Sequence, residues 1–180
     1  LDELPPGRQK IETYVIDSAK RQRAFGYLQK HIDRRLQCYI ICPLIEESGS
    51  DMASVEQYAK RLREEWMPRA RVGILHGWMK PKEKEAVMTS FAAGEIDILV
   101  STTVVEVGVD VPNAVIMLIE NAERYGLSQL HQLRGRVGRG TEKSTCILVS
   151  DAQNGDTMRR LKILASSSDG FRVADEDLKL

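Results

Sequence analysis

Within residues 129–140, QLHQLRGRVGRG, three arginines and three glycines crowd into one short stretch. Arginine carries a planar, permanently charged fork of donors that matches phosphate oxygens two at a time. Glycine lets a backbone come close to a ligand or to another segment. Drawn as a helix from 127 to about 139, at about 100° per residue, the stretch divides into two faces. Leu130, Leu133 and Val137 share an apolar stripe fit to seat it on a sheet. Gln132, Arg136 and Arg139 share the opposite side. Gly135 and Gly138 lie between the stripes. Each costs about 1 kcal/mol relative to alanine in a helix interior, so the pair predicts a close approach to the backbone or the end of the helix. Arg134 projects from the edge of the apolar stripe and finds no role, and His131 reads as a packed or helix-surface histidine. On local geometry alone, a phosphate-reading arginine pair and a solvated basic face explain the segment equally well.

Other loops hold further polar candidates. TTVVEVGVDVP (102–112) sets Thr102 and Thr103 after an apolar run, then Gly108 and Asp110 before Pro112; by itself it is a turn that contains Asp and Gly. CPLIEES (42–48) is in isolation a strand-to-helix connection, and His76 and Gly77 mark a turn in HGWMKP. Val87, Met88 and Phe91 read as core. Trp66 and Trp78 could stack on bases, but isolated aromatics at element ends are expected to pack. Neither a G-x-x-x-x-G-K-[ST] loop nor a strand ending in an Asp-Glu pair occurs, and the acidic DEDL at 175–178 follows no strand. Cys38, Cys42 and Cys146 lack metal spacing, as do the dispersed histidines; reduced core thiols are expected, which fits a cytoplasmic protein.

The elements that must position these residues follow from hydrophobic patterning. Six apolar runs, at 11–16, 38–42, 71–76, 96–101, 114–119 and 145–150, are nearly continuous, as strands covered on both faces are. Between several of them lie helical patterns: one capped by Asp17 or Ser18 and running to about 36, one from Asp51 to about 66, and one with Pro81 in its first turn and Gly94 at its stop. Strand and helix alternate, which predicts an α/β fold with a mostly parallel sheet flanked by helices and ligands gathered beyond the strands' carboxyl ends. At 180 residues, with 42% hydrophobic and 29% charged residues, one domain is expected. No apolar run is long enough to span a bilayer. Lys plus Arg and Asp plus Glu number 26 each, so overall charge selects no partner. The Pro-Pro-Gly near the start reads as a linker, and the last stretch opens as a helix and ends in an acidic tail.

QLRGRVGR (132–139) resembles motif VI of superfamily 2 helicases, Q-x-x-G-R-x-G-R, TTVVEVGVDVP resembles their motif V, and CPLIEES their motif IV. ENAERYGLSQLHQLRGRVGRG narrows the resemblance to the branch shared by RecG and the transcription-repair coupling factor, and SSSDGFRVADEDLKL is nearer to RecG. The resemblance implies a RecA-like three-layer sandwich, the second of two motor domains, with 1–10 as inter-domain linker, 11–152 as the domain and 153–180 as a helical extension. It implies that Arg136 and Arg139 are arginine fingers for ATP bound to the first motor domain, with Gln132 as a supporting contact. Gly108 and Asp110 would lie near the nucleotide, and Thr102 or Thr103 on a DNA backbone phosphate; Glu106 has no assigned role. ATP and Mg2+ would be held mainly by the absent first domain. The implied partner is branched or forked DNA, in recombination and repair, within a bacterial-type cytoplasm and with no membrane. A coupling translocase, an RNA helicase, and a non-catalytic module that binds nucleic acid or a phosphorylated ligand are the alternatives.

Overall fold

The computed structural model describes residues 11–42, 51–102, 110–152, 155–166 and 171–173. The six apolar runs form strands within a residue or two of their expected bounds: β1 (Ile11–Ile16), β2 (Gln37–Ile41), β3 (Val72–Leu75), β4 (Ile98–Ser101), β5 (Ala114–Ile119) and β6 (Ser144–Val149). A further strand, β7 (Phe171–Val173), was not foreshadowed, since three residues are too few to carry a pattern. All pairings are parallel, in the order β3-β4-β2-β5-β6-β1-β7.

The runs are continuous because both sheet faces are covered. Along β5 every residue is buried, and successive residues feed opposite cores. Cys38, Ile40, Ile116 and Leu118 join one core, whereas Tyr39, Ile41, Met117 and Ile119 join the other. The first core is closed by α1 (Arg21–Asp33), through Phe25 and Leu28, and by α2 (Asp51–Arg61), through Val55. The second is closed by α3 (Pro81–Ala92), α4 (Leu127–Arg134) and α5 (Gly155–Ser166), through Phe91, Leu130 and Leu161. Parallel neighbours need crossover connections of one hand, which distributes helices over both faces. The result is the expected α/β three-layer sandwich.

Local signals explain the helix bounds. Asp17 accepts from the Ala19 N–H at 3.0 Å and caps a 3-10 turn, Ser18–Lys20, that leads into α1. α1 stops short of 36 because Arg35 takes a φ of +67°, a left-handed conformation incompatible with helix. α2 runs on as a π-helical segment, Leu62–Trp66, to its expected end. α3 has Pro81 in its first turn and the Lys80 N–H on Glu83 Oε1 at 2.9 Å, and the chain turns away at Gly94, φ +80°. In the stretch read as a helical extension, α5 buries Leu161, Leu164 and Ala165 in the second core, and β7 pairs with β1. Cys38, Cys42 and Cys146 are free and buried; burial pushes the Cys146 thiol up to about 12 and raises Cys38 as well. Among the described residues no helix is long and apolar enough to cross a membrane.

Candidate functional site

α4 ends well before residue 139, and this corrects the expected geometry of the arginine segment. Gly135 closes the helix with its N–H on the His131 carbonyl at 3.0 Å. The Arg136 and Val137 N–H groups then make tighter turns onto the Leu133 and Arg134 carbonyls, at 3.1 and 3.3 Å. Gly138 follows with φ +87°, a conformation that costs glycine little. Gln132 is therefore exposed on the helix, whereas Arg136 and Arg139 stand on the turn beyond it and share no helical face with Gln132. The apolar stripe survives the break: Leu130, Leu133 and Val137 are all buried. Of the two readings of Gly135 and Gly138, the helix end holds, at Gly135. The close approach falls instead at Gly140, where a Cβ would stand 2.5 Å from the Pro112 carbonyl oxygen, so the end of this segment lies directly against the end of the 102–112 loop.

That contact sets Asp110 beside Arg139. The Arg139 Nε is 3.7 Å from Asp110 Oδ1, with the two side chains 46% and 61% exposed. An ion pair so exposed to water contributes about 0–1 kcal/mol, so Arg139 remains available to a stronger anion. Arg136 is half-buried, and among the described residues no hydrogen bond or ion pair engages its guanidinium. Burial raises the pKa of the Tyr39 hydroxyl, Arg136 opposes that shift, Asp110 adds to it and Arg139 opposes it. These four groups thus share one electrostatic neighbourhood on the sheet face that α3, α4 and α5 cover. Asp110 and Arg139 sit on segments that lead into β5 and β6, away from the carboxyl edge to which an alternating α/β pattern points.

At that carboxyl edge Thr102 follows β4 and is 3% exposed, and its carbonyl accepts from the Tyr125 hydroxyl at 3.3 Å. Thr103, Glu106 and Gly108, and residues 43–48 of the CPLIEES loop, lie outside the described residues. Glu120, just after β5, is 2% exposed and takes a bidentate Arg21 at 2.8 Å on each oxygen, plus the Tyr58 hydroxyl at 2.6 Å. The side-chain hydrogen bond to Glu120 raises the Arg21 pKa, while burial and then Glu120 lift the Tyr58 hydroxyl well above its ordinary value. Beside this clamp lies a cleft of about 280 Å³ lined by Arg21, Glu120, Glu123 and Asp151 among others.

Two further placements differ from expectation. Arg134, which had no role, is 4% exposed and donates from Nη1 to the Leu164 carbonyl at 2.8 Å and to Thr13 Oγ1 at 3.3 Å. It therefore joins α4 to β1 and to the last turn of α5, where helix carbonyls lack partners and the dipole favours a cation. Its position at the edge of the apolar stripe was the one available signal. His131 beside it has a pKa lowered by burial and then by the Arg134 charge. Trp66 packs as expected, 5.2 Å from the Phe25 ring and 5.3 Å from Tyr58. Trp78 does not: it is 70% exposed.

Residues 20–141 match the family described as the helicase conserved C-terminal domain. The ATP-dependent DNA helicase RecG of Synechocystis sp. is 50% identical over 181 residues, covering 100% of this chain and 22% of that protein. The RecG of Bacillus subtilis is 46% identical over 181 residues, covering 100% of this chain and 26% of that protein. A solved structure of RecG bound to a three-way DNA junction superposes with a TM-score of 0.76 at 41% identity, over 93% of this chain and 22% of that one. The chain thus spans about a quarter of the length of the curated relatives it matches.

Proposed function

The chain belongs to the helicase conserved C-terminal domain family, and from that premise we propose that it is the second motor half of a RecG-type ATP-dependent DNA helicase that remodels branched DNA and stalled replication forks. In this reading residues 1–10 link the two motor domains, 11–152 form the second RecA-like domain and 153–180 extend it. The observation that carries the proposal is an accessible arginine pair that meets no strong anion among the described residues, on a sequence with no G-x-x-x-x-G-K-[ST] loop.

The roles are those that the resemblance to motifs V and VI implies, carried over by position. Arg136 and Arg139 reach across the inter-domain cleft to the γ-phosphate of ATP, where a finger that stabilises charge on the transferred group is worth about 10³ to 10⁵ in rate. Arg139 exchanges its exposed Asp110 partner for that phosphate. Asp110 and Gly108 border the nucleotide, and Gln132 offers a further polar contact from α4. The Thr102–Thr103 segment meets the DNA backbone; as Thr102 is 3% exposed, the contact belongs to the loop it opens. Backbone contacts of this kind ignore sequence, as a translocating motor requires. Closure of the two domains on ATP shifts one DNA grip against the other, and release of phosphate reopens them. No group of three His, Cys, Asp or Glu residues among the described residues could hold a metal ion. Mg2+ is assigned, with ATP, mainly to the first motor domain. The buried, free thiols suit a reducing cytoplasm.

The test is Arg139→Ala in the full-length enzyme. ATP turnover should fall by about 10³ or more, with affinity for forked DNA largely unchanged; equal losses in both would overturn the finger role. The 180-residue chain alone should hydrolyse no ATP and bind DNA weakly, with steep salt dependence. Stimulation of the full-length ATPase by RNA in preference to DNA would reassign the motor to RNA.

A further inference from the structure

The turn that carries Arg136 and Arg139 is short and is held at both ends. At its start the Arg136 N–H donates to the Leu133 carbonyl at 3.1 Å and the Val137 N–H to the Arg134 carbonyl at 3.3 Å. At its end Gly140 lies against Pro112. The two accessible arginines therefore stand wherever residues 133 and 134 put the turn. Leu130, Leu133 and Val137 press the segment onto the sheet, but apolar burial has no direction and leaves sliding and rotation open. A hydrogen bond does have direction. Arg134 supplies it. At 4% exposure its Nη1 donates to the Leu164 carbonyl at 2.8 Å and to Thr13 Oγ1 at 3.3 Å, which pins the end of α4 to the last turn of α5 and to β1. Thr13 is a firm point of attachment: it is buried in the sheet, paired with Cys146 of β6 on one side and Phe171 of β7 on the other.

We propose that Arg134 is a positioning residue for ATP hydrolysis, its buried fork on Leu164 and Thr13 setting where Arg136 and Arg139 stand; this rests on the finger role given to those two under the proposed function. Arg134 is too buried to meet a nucleotide itself and acts through the turn that follows it. A finger works only if its donors reach the phosphoryl oxygens as charge develops on them, and a misplacement of about 1 Å costs up to about 10²-fold in rate. That loss falls on the transition state and spares the binding of ATP, which the proposed function assigns mainly to the first motor domain.

The test uses the full-length enzyme at a temperature where circular dichroism shows every variant folded. Arg134→Lys keeps the charge and loses the reach; its kcat should fall about tenfold to a hundredfold, with KM for ATP and the affinities for ADP and forked DNA unchanged. Affinity for ADP with aluminium fluoride, which imitates the transferred phosphoryl, should fall about as far as kcat. Thr13→Val takes away one acceptor while keeping the shape of the strand, and should lower kcat severalfold in the same pattern, whereas Thr13→Ser should retain turnover. This pair decides the matter if Arg134→Lys does not fold. Leu28→Ala, in the core on the other face of the sheet, should lower Tm and leave kcat unchanged. Wild-type kcat in Arg134→Lys and Thr13→Val, an equal loss in Leu28→Ala, or a loss shared by ADP affinity would overturn the proposal and leave the helicase reading intact. Full turnover in Arg139→Ala would overturn the finger role, and this proposal with it.

Discussion

A methyl group added at Gly140 would meet the Pro112 carbonyl oxygen at 2.5 Å, and as both partners are backbone, relief requires a segment to move. Gly140→Ala should destabilise the domain by about 1–3 kcal/mol, as overpacking does. Because residue 139 moves with residue 140, ATP turnover in the full-length enzyme should fall too; calorimetry and a turnover assay read the two effects separately. Arg134 makes a different kind of demand. Its buried fork serves the Leu164 carbonyl and Thr13 together, and hydrogen bonds to a charged group contribute about 1.5–3 kcal/mol. Arg134→Ala should therefore lower stability by about 2 kcal/mol in urea unfolding, and Arg134→Lys should restore only part of it, since the ammonium stops one bond short of Nη1, the atom that makes both contacts.

Between elements, Glu120 ties the end of β5 to α1 through Arg21 and to α2 through Tyr58. Removing one partner of a fully buried ion pair costs about 3–5 kcal/mol. The Arg21 side chain is 26% exposed, so water recovers part of that, and Glu120→Ala should cost about 2 kcal/mol, read from the urea midpoint. At the end of β6, Asp151 accepts from the Ser18 N–H at 2.7 Å, and hydrogen bonding to Ser18 holds its carboxyl below the ordinary value. The unfolded chain thus binds this proton more tightly than the folded one. The stabilisation is present above about pH 4 and is lost as pH falls through the folded pKa. Asp151→Asn should flatten the fall in Tm on the acid side of that point, and an unchanged acid limb would contradict this linkage. Helix starts were legible in sequence because caps and prolines act locally, as at Asp17 and Pro81. The π-helical end of α2 was not, since its local pattern is that of an ordinary helix.

For the molecule as a whole, the two-faced sheet shields all three thiols, and a thiol reacts as its thiolate. Cys38, Cys42 and Cys146 should resist iodoacetamide at neutral pH in the native enzyme and react after unfolding, as mapped by mass spectrometry. Continuous apolar runs separated by helical patterns encode a covered parallel sheet, because burial on both faces acts on every strand residue. Strand order, and the seventh strand against β1, are not written in any one run.

The sequence by itself determined the first six strands, the apolar stripe of Leu130, Leu133 and Val137, the arginine pair and the lack of a phosphate loop beside it. These depend on local spacing and residue chemistry. Only the tertiary structure decided that α4 stops at Arg134, that Asp110 stands beside Arg139, that Arg134 finds its acceptors on β1 and α5, and that Trp78 faces water. Each of these depends on how segments far apart in the chain pack on a shared sheet, which periodicity within a single segment does not encode.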